Sequence, residues 1–293
     1  MDNKRKFSRT DVASEFEKED SDVSDGLKVT ESERGSFRIC KIDITTKKAS
    51  ELLKKPIGRY VNVTIGKIWL EDDVKFERAA SVISDELTEL MLSLTSFPTS
   101  VLVVGLGNRF ITSDAIGPLT VKGITVNRHI KESDPSIFEK LGSLVLSAIT
   151  PGVTGQTGIE AVDLIKNAVD TVKPSIVICI DALAARDVER LGTTIQLSDS
   201  GIAPGSGIGN RRRPIDKDTL GVPVISVGVP TVVDSSTLVF GMLERAGVTS
   251  LSPALEKELE NGRSFFVTLK DADTVIYETS RLLSAALTSA FSV

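Results

Sequence analysis

Strict alternation of apolar and polar positions runs through Phe37-Arg38-Ile39-Cys40-Lys41-Ile42-Asp43-Ile44, the period of a strand buried on one face. After a short helix a second such segment follows, Tyr60-Val61-Asn62-Val63-Thr64-Ile65. The period then lengthens. Val74, Ala79, Val82, Ile83, Leu87, Leu90 and Met91 recur at helical spacing and predict a helix from Asp73 to Leu94 with a broad apolar face. From position 101 short apolar runs end in Gly- or Asp-containing loops and lead into helices: Val101 to Val104, Leu144 to Ile149, Ser175 to Ile180, and Val222 to Val227. The segment Ile159 to Val172 supplies a crossover helix. This alternation predicts an α/β fold with a mainly parallel central sheet covered by helices. A strand at Phe265 to Leu269 and a helix from Ala272 to Phe291 close the chain.

Ahead of Phe37 the pattern is different. Residues 1–36 are rich in Asp, Glu, Lys, Arg and Ser and lack apolar periodicity, so they cannot offset the entropy of ordering and are expected to form a mobile, acidic N-terminal arm. Inside that arm sits Thr10-Asp11-Val12-Ala13-Ser14.

Composition narrows the function classes. A net charge of −5 over 293 residues gives no polyanion-binding signature, so nucleic acid is not the expected partner. No run is apolar enough to span a membrane and the charged start lacks a secretory core, which predicts a soluble cytoplasmic protein. The two cysteines, Cys40 and Cys179, lie far apart, and Cys179 falls within an apolar run as a buried thiol. With a single histidine, His129, no usual zinc site can be assembled, and no metal or cofactor is expected.

In parallel α/β sheets ligands bind beyond the carboxyl ends of the strands, which directs attention to four loops. Gly105-Leu106-Gly107-Asn108 opens like a dinucleotide fingerprint, but the third glycine and the acidic partner are missing. The same loop carries Asp114, either a helix cap or a functional acid. Asp181 ends the run Ile176 to Ile180, either binding the amides of the next loop or acting chemically. Two carboxylates at neighbouring strand ends can share one water, with one protonated and the other ionised. Thr150 to Gly158 is glycine-rich, and Gly155, Gln156 and its backbone amides are candidates to hold a peptide or stabilise an oxyanion. A longer Gly-rich loop ends in Arg211, Arg212 and Arg213, either solvated surface or a receptor for an acidic side chain. Asp234 reads as a helix cap, His129 has no partners for catalysis, and no GxSxG elbow is present.

These loops together resemble a known family. Val103-Val104-Gly105-Leu106-Gly107-Asn108, Thr112-Ser113-Asp114-Ala115-Ile116-Gly117-Pro118, Pro151 to Glu160, Ile180-Asp181-Ala182-Leu183-Ala184-Ala185-Arg186, Pro204 to Asn210 and Gly228 to Asp234 are similar to the motifs of germination proteases of spore-forming bacteria, in the same order from about Ser36 to about Leu243. Ser113, Thr154 and Ala203 stand where that family commonly has proline, methionine and histidine. The resemblance implies a fold like that of the hydrogenase maturation peptidases, a homotetramer, a location in the forespore and spore core, and an atypical aspartic mechanism using Asp114 and Asp181. It further implies small acid-soluble spore proteins as substrates and a zymogen that cuts itself. Those substrates are cut between the acid and the apolar residue of a pentapeptide resembling Thr-Glu-(Phe or Ile)-Ala-Ser. Thr10-Asp11-Val12-Ala13-Ser14 keeps that order, so cleavage is expected between Asp11 and Val12, dividing the chain into a propeptide (1–11), an arm (12–36) and one peptidase domain (37–293). Two other readings stay open: a metal-assisted maturation peptidase on the same fold, and a non-catalytic binding module for spore proteins.

Overall fold

The alternation over residues 37–44 builds an antiparallel ribbon. In the computed structural model, which describes residues 10–15, 25–205, 212–248, 250–262 and 265–292, β1 (Leu27–Arg34) and β2 (Phe37–Ile44) are joined through Gly35, whose φ of +62° suits glycine in a tight turn. β2 then pairs antiparallel with β3 (Gly58–Thr64), and β3 with β7 (Thr194–Ser198). The remaining strands are β4 (Ser100–Gly105), β5 (Val145–Ile149), β6 (Ile176–Ala185), β8 (Val224–Asp234) and the short β9 (Phe266–Val267). One sheet results, in the order β1-β2-β3-β7-β8-β6-β4-β5, with β9 also against β8.

The sheet is mixed, and this corrects the expectation of a mainly parallel one. Only β8, β6, β4 and β5 run parallel to one another, while β1, β2, β3, β7 and β9 are added antiparallel. The α/β part of the chain supplies helical crossovers, which parallel strands require, whereas β1 and β2 form a hairpin and β2 and β3, joined through the short helix Lys47–Leu53, also pair antiparallel. β7, with the sequence TIQLS, is fully buried yet too short and polar to stand out as a strand.

Order also begins earlier than Phe37. β1 carries almost no apolar pattern, but its Arg34 reaches the buried Glu86 at 3.1 Å, and Lys41 of β2 reaches the same carboxylate at 2.7 Å. Glu86 lies on the helix Asp73–Leu94, which has the expected bounds. That helix and the helix Ala272–Ala290 cover one face of the sheet, packing on Val101, Val103, Ile176, Ile178 and Ile180. Alternate residues, Leu102, Val104, Val177 and Cys179, face the helix Ala161–Val172 on the other side. Among the described residues no helix is long and apolar enough to cross a membrane.

Two glycines set the loop after β4. A Cβ on Gly107, at φ +105°, would lie 2.1 Å from the carbonyl oxygen of Asp114. A Cβ on Gly117 would lie 2.4 Å from the oxygen of Leu106 and 2.6 Å from that of Ile180. The loop is therefore pressed onto the ends of β4 and β6, and Asp114 is carried with it.

Candidate active site

β6 does not stop at Asp181 but continues to Ala185, with a register shift against β8 between Leu183 and Ala184. Asp181 follows the side-chain alternation of Val177 and Cys179, so its carboxylate leaves the sheet on the face opposite the long helices. Asp114 ends the helical turn Thr112–Asp114 and accepts a hydrogen bond from the backbone N–H of Asn108 at 2.7 Å. It does not cap a helix. Both acids line one cavity of about 310 Å³, together with Asp11, Gly107, Val153, Arg212, Arg213 and Thr231 among others.

The two carboxyls differ in environment. Asp181 is 7% exposed. Burial first, and then the charge of Asp114, holds its carboxyl well above the usual carboxylate range. Its Oδ1 accepts from the N–H of Ala182 at 3.0 Å, which offsets this in part. Burial also raises Asp114, but the Asn108 amide and the Arg212 guanidinium pull it back. The arrangement favours a proton on Asp181 and a charge on Asp114. Beneath them the Cys179 thiol is pushed up by burial and by the neighbouring Asp181 charge, as an inert core group.

The pentapeptide of the arm is seated against this cavity. The backbone of Asp11 donates to the carbonyl of Ala184 at 2.8 Å, and its carboxylate accepts from the Ala184 N–H at 3.1 Å. Val12 is fully buried among Ala185, Leu191 and Val233, with Val188, Leu238 and Leu269 packed around them. Ala13 sits against Ile42, Ile44, Ala49, Leu53 and Tyr60. Glu15 closes the segment: its carboxylate accepts from the amides of Arg186 at 2.8 Å and Asp187 at 3.0 Å, and from the hydroxyl of Thr10. Residues 10–15 are thus ordered within the stretch expected to be mobile, because Val12 and Ala13 find apolar pockets and the backbone groups of Asp11 and Val12 and the Ala13 N–H find partners.

Two further side chains grip this segment and were not legible as site residues. Lys55 donates to the carbonyl oxygen of Asp11 at 2.8 Å, and Gln196 donates to the same oxygen at 3.1 Å while accepting from the N–H of Ala13 at 2.7 Å. Lys55 follows a lysine in the left-handed region, Lys54 at φ 52°, and precedes a proline. That sequence reads as a solvated helix end.

The other candidates are distributed as follows. Gln156 donates to Asn108 Oδ1 at 2.8 Å, so it braces the loop that holds Asp114 without lining the cavity. Gly155, beside it, is exposed. Arg212 lines the cavity and donates to Thr154, and Arg213 pairs with Asp163 at 2.9 Å. Arg211 lies outside the described residues. Asp234 caps the helix Ser235–Arg245, accepting from the Thr237 N–H at 3.0 Å, as its position implied.

Comparison with known proteins adds a family. A model described as "Germination protease" matches residues 4–246. The germination protease of Caldanaerobacter subterraneus subsp. tengcongensis is 44% identical over 235 residues, 80% of this chain and 71% of that protein. That of Bacillus subtilis is 46% identical over 71% of this chain and 56% of its own length. That of Clostridium acetobutylicum is 37% identical over 92% of this chain and 84% of its own length. Among solved structures, a [NiFe] hydrogenase maturation protease, HycI, from Thermococcus kodakarensis KOD1 aligns with 48% of this chain and 80% of its own, at 17% identity and a TM-score of 0.31, a likeness too slight to carry weight. The family match spans every motif that builds the cavity, and the chain belongs to the germination protease family.

Proposed function

We propose that this protein is an endopeptidase of aspartic type, made as a zymogen that cuts its own Asp11–Val12 bond and then initiates degradation of small acid-soluble spore proteins. The observation that carries this reading is the docking of residues 10–15 against the sheet, which brings Asp11 into the cavity lined by Asp114 and Asp181. In this reading the arm is a tethered substrate. The residue after the cleaved bond fills an apolar pocket, as Val12 does, and the residue before it presents its carboxylate to the cavity that Arg212 also lines. We extend the same reading to its substrate class, a homotetrameric assembly and a forespore location, as proposals that family membership motivates.

The chemistry needs one base and one acid. Asp114, raised by burial but less than Asp181 because the Asn108 amide and Arg212 favour its anion, takes a proton from the attacking water; Asp181, buried and protonated, supplies one.

The test is to follow the intact mass of the full-length chain across mildly acidic to neutral pH, beside Asp114→Asn and Asp181→Asn, and to measure turnover of a Thr-Glu-Ile-Ala-Ser peptide. Loss of residues 1–11, slowed about 10²- to 10⁴-fold in each folded variant, is expected for paired acid–base catalysis. Undiminished cleavage in either variant rules out the pair.

A further inference from the structure

We propose that Lys55 and Gln196 hold the oxygen of the peptide bond that is cut, as the oxyanion-stabilising pair of the site; the inference rests on the peptidase reading above. The carbonyl oxygen of Asp11 accepts from Lys55 Nζ at 2.8 Å and from Gln196 Nε2 at 3.1 Å. These are contacts to the oxygen of the intact peptide bond, and both donors, on flexible side-chain ends, follow that oxygen as it moves out of the peptide plane to become the oxyanion. The orientation of the Gln196 amide is fixed by its other end. Its Oε1 receives the Ala13 N–H at 2.7 Å, so only Nε2 can face the carbonyl.

The sheet explains why these groups and the acids meet across one peptide. Asp181 on β6 and Gln196 on β7 are both registered with Gly228 on β8, from opposite sides. Registered partners project to the same face, so the two side chains stand two strands apart, with backbones about 10 Å from each other. Gly228 has no side chain of its own there, and the side chain of Leu183 lies over it, within 2.3–3.0 Å of where a Cβ would stand. The Asp11 backbone bridges the two edges, bonded to Ala184 on the β6 side and to Gln196 on the β7 side. Carboxyls therefore line one flank of the segment and the two donors grip the other.

The bond changes follow from that placement. Water oxygen bonds to the Asp11 carbonyl carbon while one of its protons passes to the ionised carboxylate. The carbonyl π pair moves onto the oxygen held by Lys55 and Gln196. When the pair returns, the carbon–nitrogen bond breaks, the nitrogen of Val12 takes the proton of the neutral carboxyl, and an Asp11 carboxyl and a Val12 amine remain. The ammonium of Lys55 is turned inward, where burial opposes its charge and the carboxylates of Asp11 and Glu15 support it. An acidic residue before the cut thus helps keep the oxyanion donor charged.

The experiment follows self-cleavage of the full-length chain by intact mass, with hydrogen exchange at the Ala13 amide reporting whether the arm is seated. Lys55→Met is expected to slow cleavage of the Asp11–Val12 bond about 10²- to 10³-fold, as for loss of one oxyanion donor, with the Ala13 amide still protected. Cleavage at the parent rate overturns the inference. So does slow cleavage with an unprotected Ala13 amide, which makes Lys55 a docking residue only. If Lys55→Met does not fold, Lys55→Gln is judged by the same two readings, with a smaller slowing because it retains a neutral donor. A parent chain that leaves the bond intact under every condition overturns the assignment of this carbonyl. Asp114→Asn and Asp181→Asn run alongside keep the two ideas apart: if they cut at the parent rate the acid pair falls, and if only Lys55→Met does, the oxyanion role falls alone.

Discussion

Glu15 and Arg190 face each other at 3.3 Å, and the Glu15 carboxylate is almost wholly buried by the contact. With the amides of Arg186 and Asp187 it forms an anchor four residues beyond Asp11, well away from the acids. Hydrogen bonds to a charged group contribute about 1.5–3 kcal/mol each. Glu15→Ala is expected to weaken seating of the arm at least about 10-fold and to slow self-cleavage by a similar factor. Proteolytic susceptibility of the N-terminal segment, read beside the cleavage rate, checks this. An unchanged arm would mean that the contacts of residues 11–13 seat it without Glu15.

Val12 gives the apolar counterpart. It is fully buried among Ala185, Leu191 and Val233, so truncation to alanine removes two methyl groups from a closed pocket, at about 0.8 kcal/mol each plus a cavity term. Val12→Ala should therefore cleave several-fold more slowly, and Val12→Asp, which buries a charge, should hardly cleave at all. Val12→Ile tests the spare room in the same pocket. A Val12→Asp chain that processes at the parent rate would show that this pocket has no part in the reaction.

The two acids were legible because their convergence is a matter of topology. Gly105, the last residue of β4, is registered with Ile180 on neighbouring β6, so the residues just beyond that pair must converge. The partner strands were less legible for the opposite reason. β1 carries only Leu27 and Val29 as apolar signals and is held by pairing and by the contact of Arg34 with Glu86, neither of which is local. Lys55 and Gln196 have no local signature either: one ends a lysine-rich turn, and the other lies in the five-residue β7. Their role exists only once residues 10–15 lie across the sheet, at a sequence separation of 185 for Gln196 and Asp11. The pentapeptide itself was readable as a motif, but its order was not, because the groups that dock it, at Ala184, Arg186, Asp187 and Gln196, are all distant in sequence.

Gly107 offers a test of how Asp114 is held. Its positive φ and the 2.1 Å approach of a Cβ to the Asp114 carbonyl leave no room for a side chain. Gly107→Ala is expected to destabilise the fold by about 1–3 kcal/mol through backbone strain and to displace Asp114 from the cavity. Thermal melts should fall by several degrees while self-cleavage drops more steeply than the folded fraction. Equal losses of folding and activity would place the effect in stability alone.

The buried carboxyl of Asp181 sets the final expectation, for stability against pH. Its folded pKa lies above the unfolded one because burial and the Asp114 charge disfavour its ionised form. In the window between those two values the native state binds more protons than the unfolded chain, so the slope of unfolding free energy with pH is negative. The contribution is present in full below the ordinary carboxylate range and is lost as pH rises through the folded value. Asp114 acts in the same direction, more weakly, because the Asn108 amide opposes its rise. Asp181→Asn cannot ionise and can keep the acceptor for the Ala182 N–H. It should therefore be more stable than the parent at neutral pH, by about 1.4 kcal/mol for every tenfold by which folding raises the proton affinity of Asp181, with the difference shrinking toward acid. Denaturant unfolding of both chains at acidic and neutral pH measures this. An advantage for Asp181→Asn that is constant with pH, or a loss at neutral pH, would mean that Asp181 is ionised in the folded chain and serves as the base, which exchanges the roles assigned to the two acids.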